Sequence, residues 1–245
     1  MRAEQLPTFF DELSAWADDV GIAASASAYG AHEDQVVDLR LPAQRPGRGL
    51  AIVIHGGFWR PSFTRRNTSA VASALAAAGW TTANVEYRPM LDDLVAARAH
   101  LRQFDRAVAI GHSAGGHLAL WLAAEGAVDA AAALGGVCDL EDAFRADLGD
   151  GAVAELLGGG PNEAPDAYAL ADPGRRLPIG RPQLLVHGSA DDRVPIEHAR
   201  RYEARARAAG DDCRLLELDA GHFEPIDPRS DAWPSIVAAI EGLAE

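Results

Sequence analysis

The stretch Ala107-Val108-Ala109-Ile110-Gly111-His112-Ser113-Ala114-Gly115-Gly116 decides the fold. Four consecutive apolar residues read as a strand buried on both faces. Gly-x-Ser-x-Gly directly after them reads as a sharp strand-to-helix turn with the serine at its apex. Such a turn has no room for side chains two residues before and two after the serine, and both positions are glycine, Gly111 and Gly115. Gly116 adds clearance. Segment 117–124 is rich in helix formers, so a helix is expected with its positive end beneath Ser113. The plainer reading is an ordinary glycine-rich turn, and the sequence on either side argues against it.

Continuous apolar runs recur at 50–54, 81–85, 107–110, 130–134 and 183–186, with a more mixed run at 213–218. Runs of this kind belong to parallel strands covered by helices on both faces. Helix-forming stretches separate them, at 69–78, 92–104, 116–125, 197–209 and 232–243. Gly79, Gly126 and Gly210 stand where three of these would end. The alternation predicts one doubly wound α/β domain, 1–245, with a mostly parallel sheet. Ahead of it, Phe9, Leu13, Trp16 and Val20 recur at helical spacing among acidic residues, an amphipathic helix. Residues 21–30 read as an Ala/Ser/Gly-rich connector. Residues 35–41, where Val37, Leu39 and Leu41 alternate with Asp38 and Arg40, read as an exposed or edge strand ended by Pro42. Segment 139–180 breaks the rhythm with Gly158-Gly159-Gly160-Pro161, Pro165, Pro173 and Pro178. It reads as a small lid or cap inserted over the strand ends, or equally as a plain surface excursion.

A length of 245 residues with 48% hydrophobic content suits one domain with a sizeable core. The formal net charge of −14 argues against nucleic acid and against anionic membrane surfaces as partners. Arg65-Arg66, Arg175-Arg176 and Arg200-Arg201 are too short to make basic patches. Cys138 and Cys213 lie in separate apolar stretches; buried free thiols in a reducing compartment are expected, with one disulfide as the alternative. No apolar leader follows Met1-Arg2-Ala3-Glu4-Gln5, and no apolar run reaches membrane-spanning length, so a cytoplasmic location is expected. A homodimer is left open.

A serine hydroxyl attacks poorly until a base takes its proton and an acid orients that base. Both partners follow Ser113, each after a strand. Asp191 and Asp192 follow Leu184-Leu185-Val186-His187-Gly188, and His222 follows Leu215-Leu216-Glu217-Leu218-Asp219-Ala220-Gly221. Adjacent carboxylates point in different directions, so only one can meet the imidazole. His32 and His100 lie in polar or helical context, His198 near a helix start and His117 inside the helix after the serine. His55, His112 and His187 end strands beside glycines, where orienting the backbone or packing is the expected role. His55, His112 and His117 could suggest a metal, but no H-x-x-x-H pair with a carboxylate accompanies them, so neither metal nor cofactor is expected. The loop His55-Gly56-Gly57-Phe58-Trp59 has the glycines an oxyanion hole needs. By position the donors are the N–H groups of Gly57 and Phe58, joined by that of Ala114. Phe58, Trp59 and Phe223 are the candidate substrate-binding side chains, core packing being equally open for Trp59, and part of the roof is expected from 139–180.

Together these residues resemble α/β-hydrolases of the kynurenine formamidase-like (arylformamidase) group, which is similar to hormone-sensitive-lipase-type esterases. The likeness runs from Tyr29-Gly30 to the 225–233 region. It rests on His55-Gly56-Gly57-Phe58-Trp59, Glu86-Tyr87-Arg88, the Gly111–Gly116 turn with His117-Leu118-Ala119, Asp191-Asp192-Arg193-Val194-Pro195 and Gly221-His222-Phe223. In formamidases the oxyanion motif reads His-Gly-Gly-Tyr-Trp; here Phe58 stands for the tyrosine, and the loop after Tyr87-Arg88 is shorter. The resemblance implies the α/β-hydrolase fold and, through the G-x-x-D-x-x-V-P placement, Asp191 as the acid. It implies a serine hydrolase that works through an acyl-enzyme on an aryl formamide such as N-formyl-kynurenine, or on a short-chain carboxylester. A catalytically silent α/β-hydrolase-fold protein that binds a small ligand is the alternative. A small peptidase of the prolyl-oligopeptidase type is a weaker one, since such enzymes carry a large additional domain for which this length leaves no room.

Overall fold

A computed structural model describes residues 3–42, 47–88 and 91–243. Eight strands form one sheet: β1 (Ser25–Ala28), β2 (Val36–Arg40), β3 (Leu50–Ile54), β4 (Thr81–Val85), β5 (Ala107–His112), β6 (Ala130–Leu134), β7 (Gln183–Gly188) and β8 (Cys213–Leu218). Their order is β1-β2-β4-β3-β5-β6-β7-β8. Only β2 runs against its neighbours, pairing antiparallel with β1 and β4; the other pairs are parallel. The central strands β3 and β6 are apolar at every position because both faces are covered. Leu50, Ile52 and Ile54 enter one core while Ala51 and Val53 enter the other, and the alternation continues with Ala109 against Val108 and Ile110.

Three helices cover one face: α1 (Leu6–Asp19), α2 (Ser69–Ala77) and α9 (Trp233–Glu241). The other face carries α3 (Leu91–His100), α4 (Ala114–Ala124) and α8 (Ile196–Ala208). Between β6 and β7 the chain makes α5 (Leu140–Arg145), α6 (Ala152–Leu157) and α7 (Pro165–Ala171). From β3 the sheet continues to β4 on one side and β5 on the other, so the loops leaving β3 and β5 diverge and open a crevice at the carboxyl ends of the strands.

Three elements differ from the sequence reading. The expected connector contains β1, a Ser/Ala strand of weak intrinsic preference that exists because β2 offers it a partner edge. The strand at 35–41 is therefore not an edge: β2 lies between β1 and β4. The helix expected through residue 104 ends at His100, and a turn closed by Phe104 N–H on Leu101 O finishes the segment. Cys138 and Cys213 are free and buried, and burial pushes the Cys213 thiol up to about 12. Among the described residues no helix is long and apolar enough to cross a membrane, and no group of three or more metal-ligating side chains is assembled.

Candidate active site

Ser113 has φ 55° and ψ −119°, a backbone conformation that costs a non-glycine residue free energy. The surrounding packing holds it there. A Cβ at Gly111 would stand 1.9 Å from Gly115 O, and one at Gly115 would stand 2.2 Å from Ile54 O. The backbones of β3, β5 and α4 thus approach as closely as they can only with glycine at both positions. Ser113 N–H donates to Leu134 O at 2.9 Å, while Ser113 O accepts from Gly116 N–H and Val137 N–H. The serine is fixed at the head of α4, a helix buried from Ala114 to Ala123.

The candidate acid, Asp191, sits in the turn after β7. Asp191 Oδ2 accepts from His222 Nδ1 at 2.7 Å, and its Oδ1 accepts the N–H groups of Arg193 (2.9 Å) and Val194 (2.8 Å). Burial works to raise the Asp191 carboxyl, and the nearby His187 Nε2 at 3.3 Å with the bonds from His222 and Val194 overcome it, holding the group well below the usual carboxylate range. Asp192 is exposed and lies 3.5 Å from the Arg193 guanidinium. With Nδ1 bound to Asp191, His222 has Nε2 left for a serine hydroxyl, and Ser113 and His222 line one cavity. His112 Nε2–H donates to His222 O at 3.0 Å. Burial, and then the neighbouring His222, push the His112 imidazole down to about 3.

The loop after β3 is anchored from behind. His55 bonds Gly56 O through Nδ1 (2.8 Å) and Glu86 Oε1 through Nε2 (2.9 Å), while Tyr87 Oη–H donates to His55 O at 2.9 Å. Glu86 Oε2 also accepts from Arg65 N–H. Phe58 and Trp59 both take positive φ, 52° and 57°, so the chain turns its amides inward. Among the described residues the N–H groups of Gly57, Phe58 and Ala114 have no acceptor.

A cavity of about 260 Å³ joins these parts. Leu6, Phe10, Phe58, Phe63 and Phe223 wall it, with Arg60 and Arg193 among its polar lining. Phe58 and Phe223 both line this cavity. Trp59 does not: it is buried away from the cavity, its Nε1–H donating to His117 Nδ1 at 3.1 Å, so core packing is its role. Segment 139–180 contributes no lining residue either. It touches the lining through Phe58, whose ring packs against Gly149, and through Arg60, which donates to Glu155 Oε2 at 2.9 Å and to Gly149 O at 3.2 Å. The roof comes instead from α1, where Phe9 and Phe10 meet the Phe223 ring edge-on at 5.8 and 5.9 Å. Sequence reasoning missed Leu6, Phe10 and Phe63. The spacing of α1 gives the helix but not which face overhangs the strand ends.

The sheet order, the strained serine and the loops at the strand ends define an α/β-hydrolase. Residues 90–229 match the prolyl oligopeptidase family, and the chain belongs to it. Esterase LipC of Mycobacterium tuberculosis is 31% identical over 240 aligned residues, covering 81% of this chain; the chain spans 59% of LipC. Among solved structures, a truncated carbohydrate esterase from gut microbiota superposes with a TM-score of 0.77 at 19% identity, over 91% of this chain and 97% of that one. Thermogutta terrifontis esterase 2, phosphoramylated by tabun, gives 0.71 at 22% identity over 90% and 93%.

Proposed function

We propose that the chain is a serine hydrolase cleaving small carboxylic esters. The observation that carries this reading is the 2.7 Å bond from His222 to Asp191 beside a positive-φ serine in one aromatic-walled cavity. Ser113 Oγ attacks the acyl carbon while His222 Nε2 takes its proton. The oxyanion that forms lies against the unengaged N–H groups of Gly57, Phe58 and Ala114, a contribution of about 3–4 kcal/mol per donor in comparable sites. His222 returns the proton to the leaving oxygen, the alcohol departs, and water repeats the sequence on the acyl-enzyme. No cofactor enters any step. The 31% identity to a protein named an esterase supports the ester class.

Within this class, a short-chain carboxylester and an aryl formamide such as N-formyl-kynurenine both suit a cavity of about 260 Å³, and Phe10, Phe58, Phe63 and Phe223 favour an aryl group on one side of the scissile bond. A series of p-nitrophenyl esters of rising acyl length, run beside N-formylated anilines, tests the reading. Fastest turnover is expected with the shortest acyl groups. A wild-type chain that releases no p-nitrophenol, not even a burst, would be a silent binding protein and not a hydrolase.

A further inference from the structure

We propose that His187 is a positioning residue: its Nε2–H is shared between Val194 O and Asp191 Oδ2 and fixes the carboxylate in the orientation that grips His222. The proposal rests on the hydrolase reading above. His187 is the penultimate residue of β7 and is fully buried. Its Nε2 lies 2.7 Å from Val194 O and 3.3 Å from Asp191 Oδ2. Both are acceptors, so Nε2 carries the hydrogen and Nδ1 the lone pair. Among the described residues Nδ1 has no hydrogen-bond partner. A proton there would be a buried donor without an acceptor, so the ring is a neutral dipole with its positive end aimed at Asp191.

The carboxylate is then fully engaged. Arg193 and Val194 N–H groups hold Oδ1, His222 Nδ1 bonds Oδ2 at 2.7 Å, and His187 Nε2 approaches Oδ2 at 3.3 Å. It cannot rotate without breaking several bonds at once. The turn it belongs to is itself pinned to the loop that carries His222, because Ser189 N–H donates to Leu218 O and Ala190 N–H to Ala220 O. A Cβ on Gly188 would stand 2.3 Å from Ala220 O, so the two turns touch backbone to backbone.

Removing the His187 donor concentrates charge on Oδ2 and strengthens its hold on the protonated base. The base then gives up its proton at higher pH, and the acid limb of kcat/KM moves up. The other groups facing the couple do not supply this shift. Ser113 and His112 approach from the end of β5, and His112 stays neutral to about 3. Arg60 and Arg193 line the cavity, while Glu217, the register partner of His187 on β8, is paired with Arg200 at 2.6 Å.

The test compares the full chain with its His187→Leu and His187→Gln variants, using p-nitrophenyl acetate from pH 5 to 9 and a melting curve for each. His187→Leu should lower kcat by about 10- to 100-fold with KM little changed, the scale of a lost bond to a charged group. Its acid limb should rise by about half to one pH unit. His187→Gln, whose amide can donate from the place of Nε2, should recover most of both. A folded His187→Leu with the wild-type acid limb, or a Gln variant no better than Leu, overturns the proposal. Should His187→Leu fail to fold, ¹⁵N spectra of the wild-type histidines decide: the neutral His187 ring is expected as the Nε2–H tautomer, and an Nδ1–H tautomer refutes it. Failure of the underlying reading looks different, since Ser113→Ala would then hydrolyse the ester as fast as wild type.

Discussion

Two regions cover the carboxyl end of the sheet, and they are built from opposite chemistry. Segment 139–180 is tied down by charge. Glu141 pairs with Arg175 at 2.8 Å and Asp142 with Arg201 at 2.7 Å; Arg205 bonds both Asp139 and Gly174 O. The Asp172 carboxylate accepts from the N–H groups of Leu140, Glu141 and Gly174. The first turns of α1 meet the site through Leu6, Phe9 and Phe10, and the helix is held from outside by Arg66–Asp11 (3.3 Å) and Arg229–Glu12 (3.5 Å), both pairs solvent-exposed. Exposed pairs of this kind contribute about 0–1 kcal/mol. The saturated, ion-paired region buttresses β6, β7 and α8; the apolar one walls the candidate cavity. A lid is better sought where side chains remain available to a ligand than where proline and glycine interrupt the sequence.

The largest expected effect sets the scale for both regions. Asp191→Asn should lower kcat by a factor on the order of 10⁴ through the wrong imidazole tautomer, and Asp192→Asn should stay within about twofold. The reverse ranking in steady-state kinetics would move the acid to Asp192. Next, Phe10→Ala should raise KM for aryl esters by about tenfold and leave kcat for p-nitrophenyl acetate nearly unchanged, as expected for lost apolar contact in binding. A Phe10→Ala enzyme with wild-type KM across the ester series would return the roof to another element.

Each region also rests on a buried neutral histidine, which makes the contrast accessible to pH. His117 accepts from Trp59 Nε1–H at Nδ1 and donates from Nε2 to Ala171 O (2.8 Å) at the end of α7; His112 donates to His222 O beside the cavity. Burial pushes His117 down to about 4 and, together with His222, pushes His112 down to about 3. Both values lie below the unfolded value, so the stability is fully present above about pH 6.5 and is lost as pH falls toward 4. By pH 5 the two together should cost roughly 4 kcal/mol, read as a lower urea midpoint at pH 5 than at pH 7. An unchanged midpoint would contradict the neutral, buried assignment. The smallest effect belongs to the charged region. Arg205→Ala strands the buried Asp139 carboxylate, so Tm should fall by roughly 3–8 °C with kcat/KM within about twofold. A kinetic loss without a thermal one would give segment 139–180 a direct part in the site.

The site's covalent logic was legible in the sequence because steric necessity writes it as glycine. Gly111 and Gly115 mark a turn no side chain can enter, and the apolar runs before Ser113, Asp191 and His222 place all three at the same sheet edge. Motif placement implies Asp191 over Asp192, and Asp191 is the one whose carboxylate lies 2.7 Å from His222 Nδ1. What escaped was whatever depends on contact between distant segments. β1 forms only against β2, Trp59 turns inward to His117, and Phe10 overhangs a strand end about a hundred residues away in sequence. From the sequence, His187 takes a backbone-orienting or packing role, and its 2.7 Å bond to Val194 O belongs to the first. Its approach to Asp191 needed the turn's geometry.

The central claim is that Ser113 alone carries the acyl group, and covalent labelling tests it most directly. Incubation of the full chain with a p-nitrophenyl phosphonate, followed by proteolysis and mass spectrometry, should place one adduct per chain on the peptide containing Ser113. Release of p-nitrophenol should match enzyme concentration, and Ser113→Ala should take up none. An adduct on a different serine, or wild-type ester turnover in Ser113→Ala, would contradict the account.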